Sequence, residues 1–420
     1  MFITALDLGS SQIKALVAEI KEDKLSVLGV FQSLSSGIRK GEIVNAGELT
    51  EVLRKIFEKI KDIDKLALKN VFVNISSSNV RCQESRGIVA VSRADNEISQ
   101  DDINRVIKAS QAIKLLPNRM IIHTLTKEFI VDGVSDVREP LGLTGTRLEV
   151  NSLIIDSFTP NVKNILTILE SLGASVGGVI YNPLASGRAI LTKTQKDLGV
   201  VLIDIGFSTT SMSVYEEGKL LHAATMPVGG GNITNDLAIG LKCSIKAAEL
   251  IKLFFGASSA KETSSKEKIT PVIFKEKTGF ELKEIDRNIK SIISRRLVNE
   301  IIEVRLAEIF EFINNELKLI GKAGQLPVGA VLTGGSAKMS GIVDLVKDEL
   351  KLPAEIALPG IEEMEFYSNN ARDSVENLEF SVAVGLLFWG KDQHLKENKW
   401  HIPDKFSINK IKDIWRYFVP

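Results

Sequence analysis

Two short segments of this chain carry residue types that suit phosphate. In Asp7-Leu8-Gly9-Ser10-Ser11 and in Asp204-Ile205-Gly206-Phe207-Ser208-Thr209-Thr210, a carboxylate ends an apolar run and a Gly-bearing turn follows. Such a turn lets backbone N–H groups approach phosphate oxygens closely. Asp7 and Asp204 occupy matching positions where a carboxylate can hold a magnesium ion through its waters, because that ion dehydrates reluctantly. Lys14 lies where it could reach phosphate oxygens as a point charge. A third element, Gly334-Gly335-Ser336, follows the apolar run Val328 to Thr333 and opens a helix, a geometry that lets a flat base slide over backbone. Glu249 and Lys252 offer a carboxylate for ribose hydroxyls and an ammonium beside a base; taken alone they read more readily as a solvated helix face. A single Asp-x-Gly turn is as readily an ordinary β-turn.

The elements that must position these groups supply the deciding argument. Ile3 to Val17 is echoed by Val200 to Val214, and each copy reads strand, tight turn, strand, then an acidic turn and a third strand from Leu25 or Leu220. Two lobes on one plan follow. Leu49, Val52, Leu53, Ile56 and Ile60 recur with a period near 3.6, which predicts an amphipathic helix laid on a sheet. Between 84 and 161 short alternating runs surround one helix near Ile103 to Ile113, the pattern of an inserted α+β subdomain. From 229 to 319 the chain reads as helical, broken by small and charged residues at 256–268 that read as a mobile loop. The expected division is 1–83 with 162–195 as first-lobe core, 84–161 as insertion, 196–228 with 320–390 as second-lobe core, and 229–319 as a second-lobe helical subdomain.

Composition narrows the function classes. The 53 basic residues are balanced by 53 acidic ones, so no global field draws the chain to nucleic acid. Cys82 and Cys243 stand apart, and His123, His222, His394 and His401 have no ligand spacing, which argues against a transition-metal site. The first residues lack the basic and apolar regions of a secretory signal, and Val382 to Trp389 falls far short of the roughly 20 residues needed to cross a bilayer. A cytoplasmic location is expected.

The order Asp-x-Gly-Ser hairpin, Asp-x-Gly-x-x-Thr-Thr hairpin and Thr-Gly-Gly-Ser turn resembles the nucleotide-binding core of the actin, heat-shock chaperone and sugar-kinase superfamily. Pro183-Leu184-Ala185-Ser186 and Ser381-Val382-Ala383-Val384-Gly385 resemble its two small-residue helices that cross between lobes. Within it the chain resembles the FtsA family of bacterial cell-division proteins over essentially its whole length. The runs Ile122 to Gly133 and Pro140 to Val150 match that family's inserted subdomain, and Val228 to Ala238 its second-lobe motif. The resemblance implies an α/β, two-lobed actin-like ATPase fold with an inserted α+β subdomain and a C-terminal amphipathic helix. It implies ATP and Mg²⁺, with Asp7 and Asp204 near the metal and Gly9, Ser10, Lys14, Gly206, Ser208 and Thr209 on phosphates. Glu249 and Lys252 would face ribose and base, and Gly334, Gly335 and Ser336 would back the adenosine. It further implies polymerisation with copies of itself and capture of the C-terminal tail of FtsZ, the tubulin-like division protein, by Arg295, Arg296, Asn299 and Glu303 on one helix.

The match has departures. Phe207 and Ser211 stand where many members of the superfamily carry Gly and Asp. Phe207 cannot take positive φ cheaply, so the phosphate turn is expected to differ, and Ser211 removes a partner for magnesium or water. Asp204 could orient water, but no stronger general base is present, so any hydrolysis is expected to be slow. Rival readings are a PilM-like actin homologue of pilus assembly and a small-molecule kinase of the same superfamily.

The tail carries its own signal. Residues 391–405 are polar and contain Pro403, as a linker would, and Ser407 suits a helix N-cap in the segment 406–420. At about 100° per residue, Ile408, Ile411, Ile414, Trp415, Phe418 and Val419 fall on one side, with Lys410, Lys412, Asp413, Arg416 and Tyr417 on the rest. That segregation predicts a helix lying on the inner face of the cell membrane, held by lipid rather than spanning it.

Overall fold

The computed structural model describes residues 1–399 except 22–23, 262, 287–288 and 290–291; the tail positions Ile408, Ile411, Ile414, Trp415, Phe418 and Val419 lie outside the described residues. Both copies of the repeat fold as antiparallel meanders. In the first, Phe2–Leu8, Gln12–Lys21 and Lys24–Leu34 pair in succession, with Asp7 opposite Lys14. In the second, Val200–Ile205, Thr210–Glu216 and Lys219–Met226 do the same, with Asp204 opposite Ser211. On its other side each leading strand takes a parallel neighbour, Val71–Ile75 in the first sheet and Gly329–Thr333 in the second. Those two strands are buried along their whole length, which is why they read as unbroken apolar runs rather than alternating ones. Val176–Tyr181 completes one side of the first sheet and Ala354–Ile356 one side of the second.

Alternation along Val200–Ile205 shows how the lobes join. Val200 and Leu202 belong to one core, shared with the first sheet and the crossing helices, while Val201, Ile203 and Ile205 belong to the core under the second-lobe helices. The crossing helices are Asn182–Ile190 and Ser381–Lys399. A Cβ on Gly385 would stand 1.8 Å from the Ala185 carbonyl oxygen, so the two backbones meet there with no room for a side chain. A separate small core, with Ile98, Val106, Leu148 and Val150, sits between the helix Gln100–Ser110 and a four-stranded sheet ordered Arg81–Ala90, Arg147–Phe158, Arg119–Val131, Val134–Val137. That helix starts at a reciprocal cap: Asp102 N–H donates to Ser99 Oγ, and Ser99 N–H donates to Asp102 Oδ2 at 2.9 Å.

Three features differ from what the sequence alone suggests. Met364–Phe366, within the stretch assigned to the second lobe, pairs in parallel with Lys24–Leu34 at the edge of the first sheet, and Gly390 packs against Ile3 and Phe72 of that sheet. The chain therefore returns to the first lobe before residue 390, a topological choice that no local pattern records. The polar run from 391, read as linker, is helical to Lys399. Lys391 Nζ donates to Glu363 at 2.8 Å, and Arg188 donates to both oxygens of Asp392, so the polar residues are ion-paired to the first lobe. The segment 256–268 is packed: Ser258 is fully buried, Ala257 bridges to Ser340, and Lys268–Ile269 pairs with Ile293–Ser294.

The helix crossing yields a direct test. Gly385→Val should lower the unfolding free energy by at least about 2 kcal/mol, since overpacking against backbone cannot be relieved by a rotamer change. Gly47→Ala, where the added Cβ meets only Asn45 Oδ1 at 3.5 Å, should leave it unchanged or raise it slightly. Denaturant unfolding of the two variants beside the parent measures both.

Candidate nucleotide-binding site

The ends of the two meanders and the Gly334-Gly335 turn open into one cleft of about 580 Å³ between the lobes. It gathers every residue that the sequence assigned to nucleotide: Asp7, Gly9, Ser10 and Lys14 from the first hairpin; Asp204, Gly206, Ser208 and Thr209 from the second; and Glu249, Lys252, Gly334, Gly335 and Ser336 from the second lobe. The two phosphate-type turns touch. Ser208 Oγ donates to Ser10 Oγ at 2.6 Å, and Ser76 Oγ lies 3.1 Å from Thr209 Oγ1. Tight backbone explains the glycines. A Cβ on Gly9 would stand 2.5 Å from the Gln12 carbonyl oxygen, and Gly334, at φ 88°, would bring one to 2.3 Å from Asp204 Oδ1.

At the floor, the two carboxylates are linked through a pair of amides that the sequence reading missed. Asn74 Nδ2 donates to Asp7 Oδ1 and to Asn182 Oδ1, both at 2.8 Å, and Asn182 Nδ2 donates to Asp204 Oδ2 at 3.4 Å. Leu8 N–H fixes Asn74 by donating to its Oδ1 at 2.7 Å. Asn74 sits on the parallel strand beside Asp7, so the signal that could have found it is the strand pairing implied by the repeat. Lys14 Nζ lies 3.6 Å from Asp7 Oδ2, whereas among the described residues Asp204 makes no ion pair and feels the charge of Lys14 only at longer range. Burial raises the pKa of Asp7, opposed by Lys14 and Asn74. Burial, then the charge of Asp7, pushes Asp204 up to about 7. Ser211, opposite Asp204 in the ladder, has a buried hydroxyl with no hydrogen-bond partner.

On the second lobe, Lys252 is buried and donates to Glu249 Oε2 at 2.8 Å, to Thr234 Oγ1 at 2.9 Å and to the Gly230 carbonyl at 3.1 Å. The pair is therefore an organised corner of the cleft rather than a solvated helix face. Phe207 is not among the positive-φ residues, so the second turn forms without the strain its sequence suggested. Its ring lies against Gly231, where a Cβ would come within 2.9 Å, and Lys252 Nζ is 5.9 Å from the ring centroid.

The helix Arg295–Leu319 differs from expectation. Arg295 lines the same cleft, with Nε donating to the Phe255 carbonyl at 3.2 Å and Nη1 to Glu267 at 2.7 Å. Asn299 is fully buried; it donates to Thr263 and accepts from Ala257 N–H. Glu303 accepts from Ala260 N–H at 2.8 Å. At i, i+4 and i+8 these three form one face, and that face holds the segment 256–268 instead of standing free. Arg296 points elsewhere, half exposed and paired with Glu300 at 3.1 Å.

A family model described as "Cell division protein FtsA" matches residues 201–385, and one described as "SHS2 domain inserted in FTSA" matches 77–156. The FtsA of Pseudomonas aeruginosa is 32% identical over 389 residues, covering 92% of this chain and 89% of the relative. The chain belongs to the FtsA family of cell-division proteins. The FtsA of Bacillus subtilis is 35% identical over 355 residues, 84% of this chain and 78% of the relative. Solved structures show that the fold is actin-like. A PilM–PilN type IV pilus biogenesis complex superposes with a TM-score of 0.65 at 15% identity, covering 93% of this chain and 98% of that one. MreB5 of Spiroplasma citri bound to ADP gives 0.53 at 13% identity, covering 95% and 98%. FtsA membership separates this chain from the PilM alternative, with which it shares the fold, and from the kinase alternative.

The raised pKa of Asp204 gives a signed prediction for the nucleotide-free protein. A folded pKa of about 7 against a reference of 3.8 means that the native state holds this proton more tightly than the unfolded chain. The resulting stability is present at pH 4 and lost as pH rises through 7. Asp204→Asn removes the ionisation and still accepts from Asn182. It should match the parent near pH 4 and exceed it by on the order of 1–3 kcal/mol above pH 8, read from denaturant unfolding across that range.

Proposed function

We propose that this chain is an ATP-binding scaffold that polymerises with its own kind and tethers the FtsZ ring to the inner face of the cell membrane. One observation carries the nucleotide part: both halves of the repeat, the Glu249–Lys252 corner and the Gly334-Gly335 turn converge on a single cleft. The MreB5 structures named for bound ADP and for AMPPNP, with TM-scores of 0.53 and 0.51, support the same reading. The floor fits magnesium. Two buried carboxylates repel one another, Lys14 pairs with Asp7 and offsets the burial of Asp204 only in part, and Ser211 Oγ is unpartnered. Among the described residues no further histidine, cysteine or carboxylate joins them in a cage. Asp7 and Asp204 would hold the ion through water, where it would neutralise charge on the phosphates. The chain's own groups do the rest: Ser10, Ser208 and Thr209 with their backbone meet phosphate oxygens, Lys14 adds charge, and Gly335 leaves room for the base. Asp204 would orient water and no stronger general base stands beside it among the described residues, so any hydrolysis is slow and ATP acts mainly as a conformational ligand.

Membership in a cell-division family supports a role at the division site, and the tail supplies the means of attachment. Six apolar side chains, each worth at most about 1.5 to 3 kcal/mol and only partly buried in lipid, must offset the ordering of their segment. One copy binds reversibly, and a polymer holds through many copies. For the FtsZ tail, Arg296 is the member of the expected set whose guanidinium remains outward, and the receptor is centred there.

Two measurements test this function. Asp204→Ala, or Gly335→Leu, should weaken ATP binding by more than tenfold, roughly 1.4 kcal/mol, in calorimetry; unchanged affinity in a folded variant would remove the site. Deleting residues 406–420, or Trp415→Glu, should leave ATP affinity intact and abolish co-sedimentation with liposomes. A truncated chain that pellets as well as the parent would refute the tether.

A further inference from the structure

A second cleft, of about 770 Å³, opens on the far side of the crossing helices, between the inserted subdomain, the Lys193–Leu198 helix and the last described helix. Its floor is apolar: Leu125, Phe129, Leu184, Leu191 and Trp389 line it, with Leu395 at the rim. Around this floor stand six cationic side chains, Lys127, Arg138, Arg188, Lys193, Lys196 and Lys219, against four carboxylates, Glu128, Asp197, Glu217 and Asp392. Several are already neutralised. Arg188 pairs with Asp392, Lys127 with Glu84, and Lys219 with Asp136 and Glu217. Among the described residues Lys193, Lys196 and Arg138 form no ion pair. Lys196 lies 5.1 Å from the Tyr215 ring centroid, and burial, then the charge of Arg188, lowers its pKa to about 8. A size of several hundred Å³, an apolar floor and a few convergent charges are the ordinary make-up of a ligand pocket.

We propose that this cleft takes an anionic phospholipid from the membrane to which the tail attaches, with the phosphate at Lys193 and Lys196 and one acyl chain over Leu184, Leu191 and Trp389. Charge complementarity selects this occupant. The chain's own tail, with Lys405, Lys410, Lys412 and Arg416 against Asp404 and Asp413, is itself net positive and so is poorly matched to Lys193 and Lys196, the lysines the cleft leaves without an ion pair among the described residues. Position agrees: Leu395 lines the cleft, and the residues from Lys399 to Ser407 span at most about 30 Å, so attachment through the tail holds the cleft beside the headgroups. The proposal rests on the membrane reading of the tail but uses different residues, so the two can fail separately.

The chain's tryptophans are Trp389, Trp400 and Trp415; the double variant Trp400→Phe, Trp415→Phe leaves Trp389 as sole reporter, and because Trp415 belongs to the tail's apolar face its co-sedimentation is first measured beside the parent's and bound protein is then matched by vesicle concentration. With this full-length protein on vesicles carrying phosphatidylglycerol brominated on its acyl chains, Trp389 fluorescence should fall by at least twofold. Brominated phosphatidylcholine at equal bound protein should quench little. Adding Lys193→Glu and Lys196→Glu should abolish the quenching while co-sedimentation, carried by the tail, persists. Equal quenching by both lipids, no quenching, or quenching unaffected by the charge reversals would overturn the proposal. So would quenching that appears only when residues 406–420 are deleted, since the tail would then be the native occupant.

Discussion

Two like charges buried within reach of one another set the terms for this molecule. Asp7 and Asp204 end equivalent strands in separate lobes, and each is almost removed from solvent. Their repulsion is sustained because Asn74 and Asn182 hand hydrogen bonds from one carboxylate to the other. That bridge spans the lobes, so anything that changes charge at the floor changes what holds the lobes together. In the proposed function a nucleotide with its cation enters at this point, and occupancy is thereby coupled to lobe geometry without fast chemistry.

The close helix crossing has the same logic. Gly385 against Ala185 lets two helices share one layer between the sheets, and the first of them starts at Asn182, a member of the bridge. Polar contact at the floor and backbone contact at the crossing thus belong to one element. The last helix then continues past the crossing to the second cleft, where Trp389 donates to the Leu184 carbonyl at 3.3 Å. The first cleft, the helix crossing and the last described residues before the tail are consecutive along two packed helices.

Arg295, Asn299 and Glu303 show how a regular pattern can be placed correctly and read wrongly. Their spacing did put them on one face, but charge and amide groups at helical spacing do not say what that face meets. The neighbouring segment brings in the backbone N–H groups of Ala257 and Ala260 and the Thr263 hydroxyl, which need partners once buried, and this face supplies them. The same physics explains 391–399: a polar run is a linker only if nothing nearby offers it partners, and Glu363 and Arg188 do.

By itself the sequence determined what is local or repeated. Strand, turn and strand written twice, glycines where backbone approaches backbone, and apolar residues at period 3.6 are fixed by sterics and solvent, so the two lobes and the residues lining the cleft were legible from them. The tail's segregated faces are likewise a property of the sequence. Tertiary structure alone decided the rest. Asn74 and Asn182 matter because strands and a helix far apart in sequence meet at the floor, Met364–Phe366 joins the first sheet by a crossover, and the second cleft exists only where the insertion, the hinge and the last helix come together. These are contacts between distant segments, whose free energy depends on packing that neither segment encodes alone.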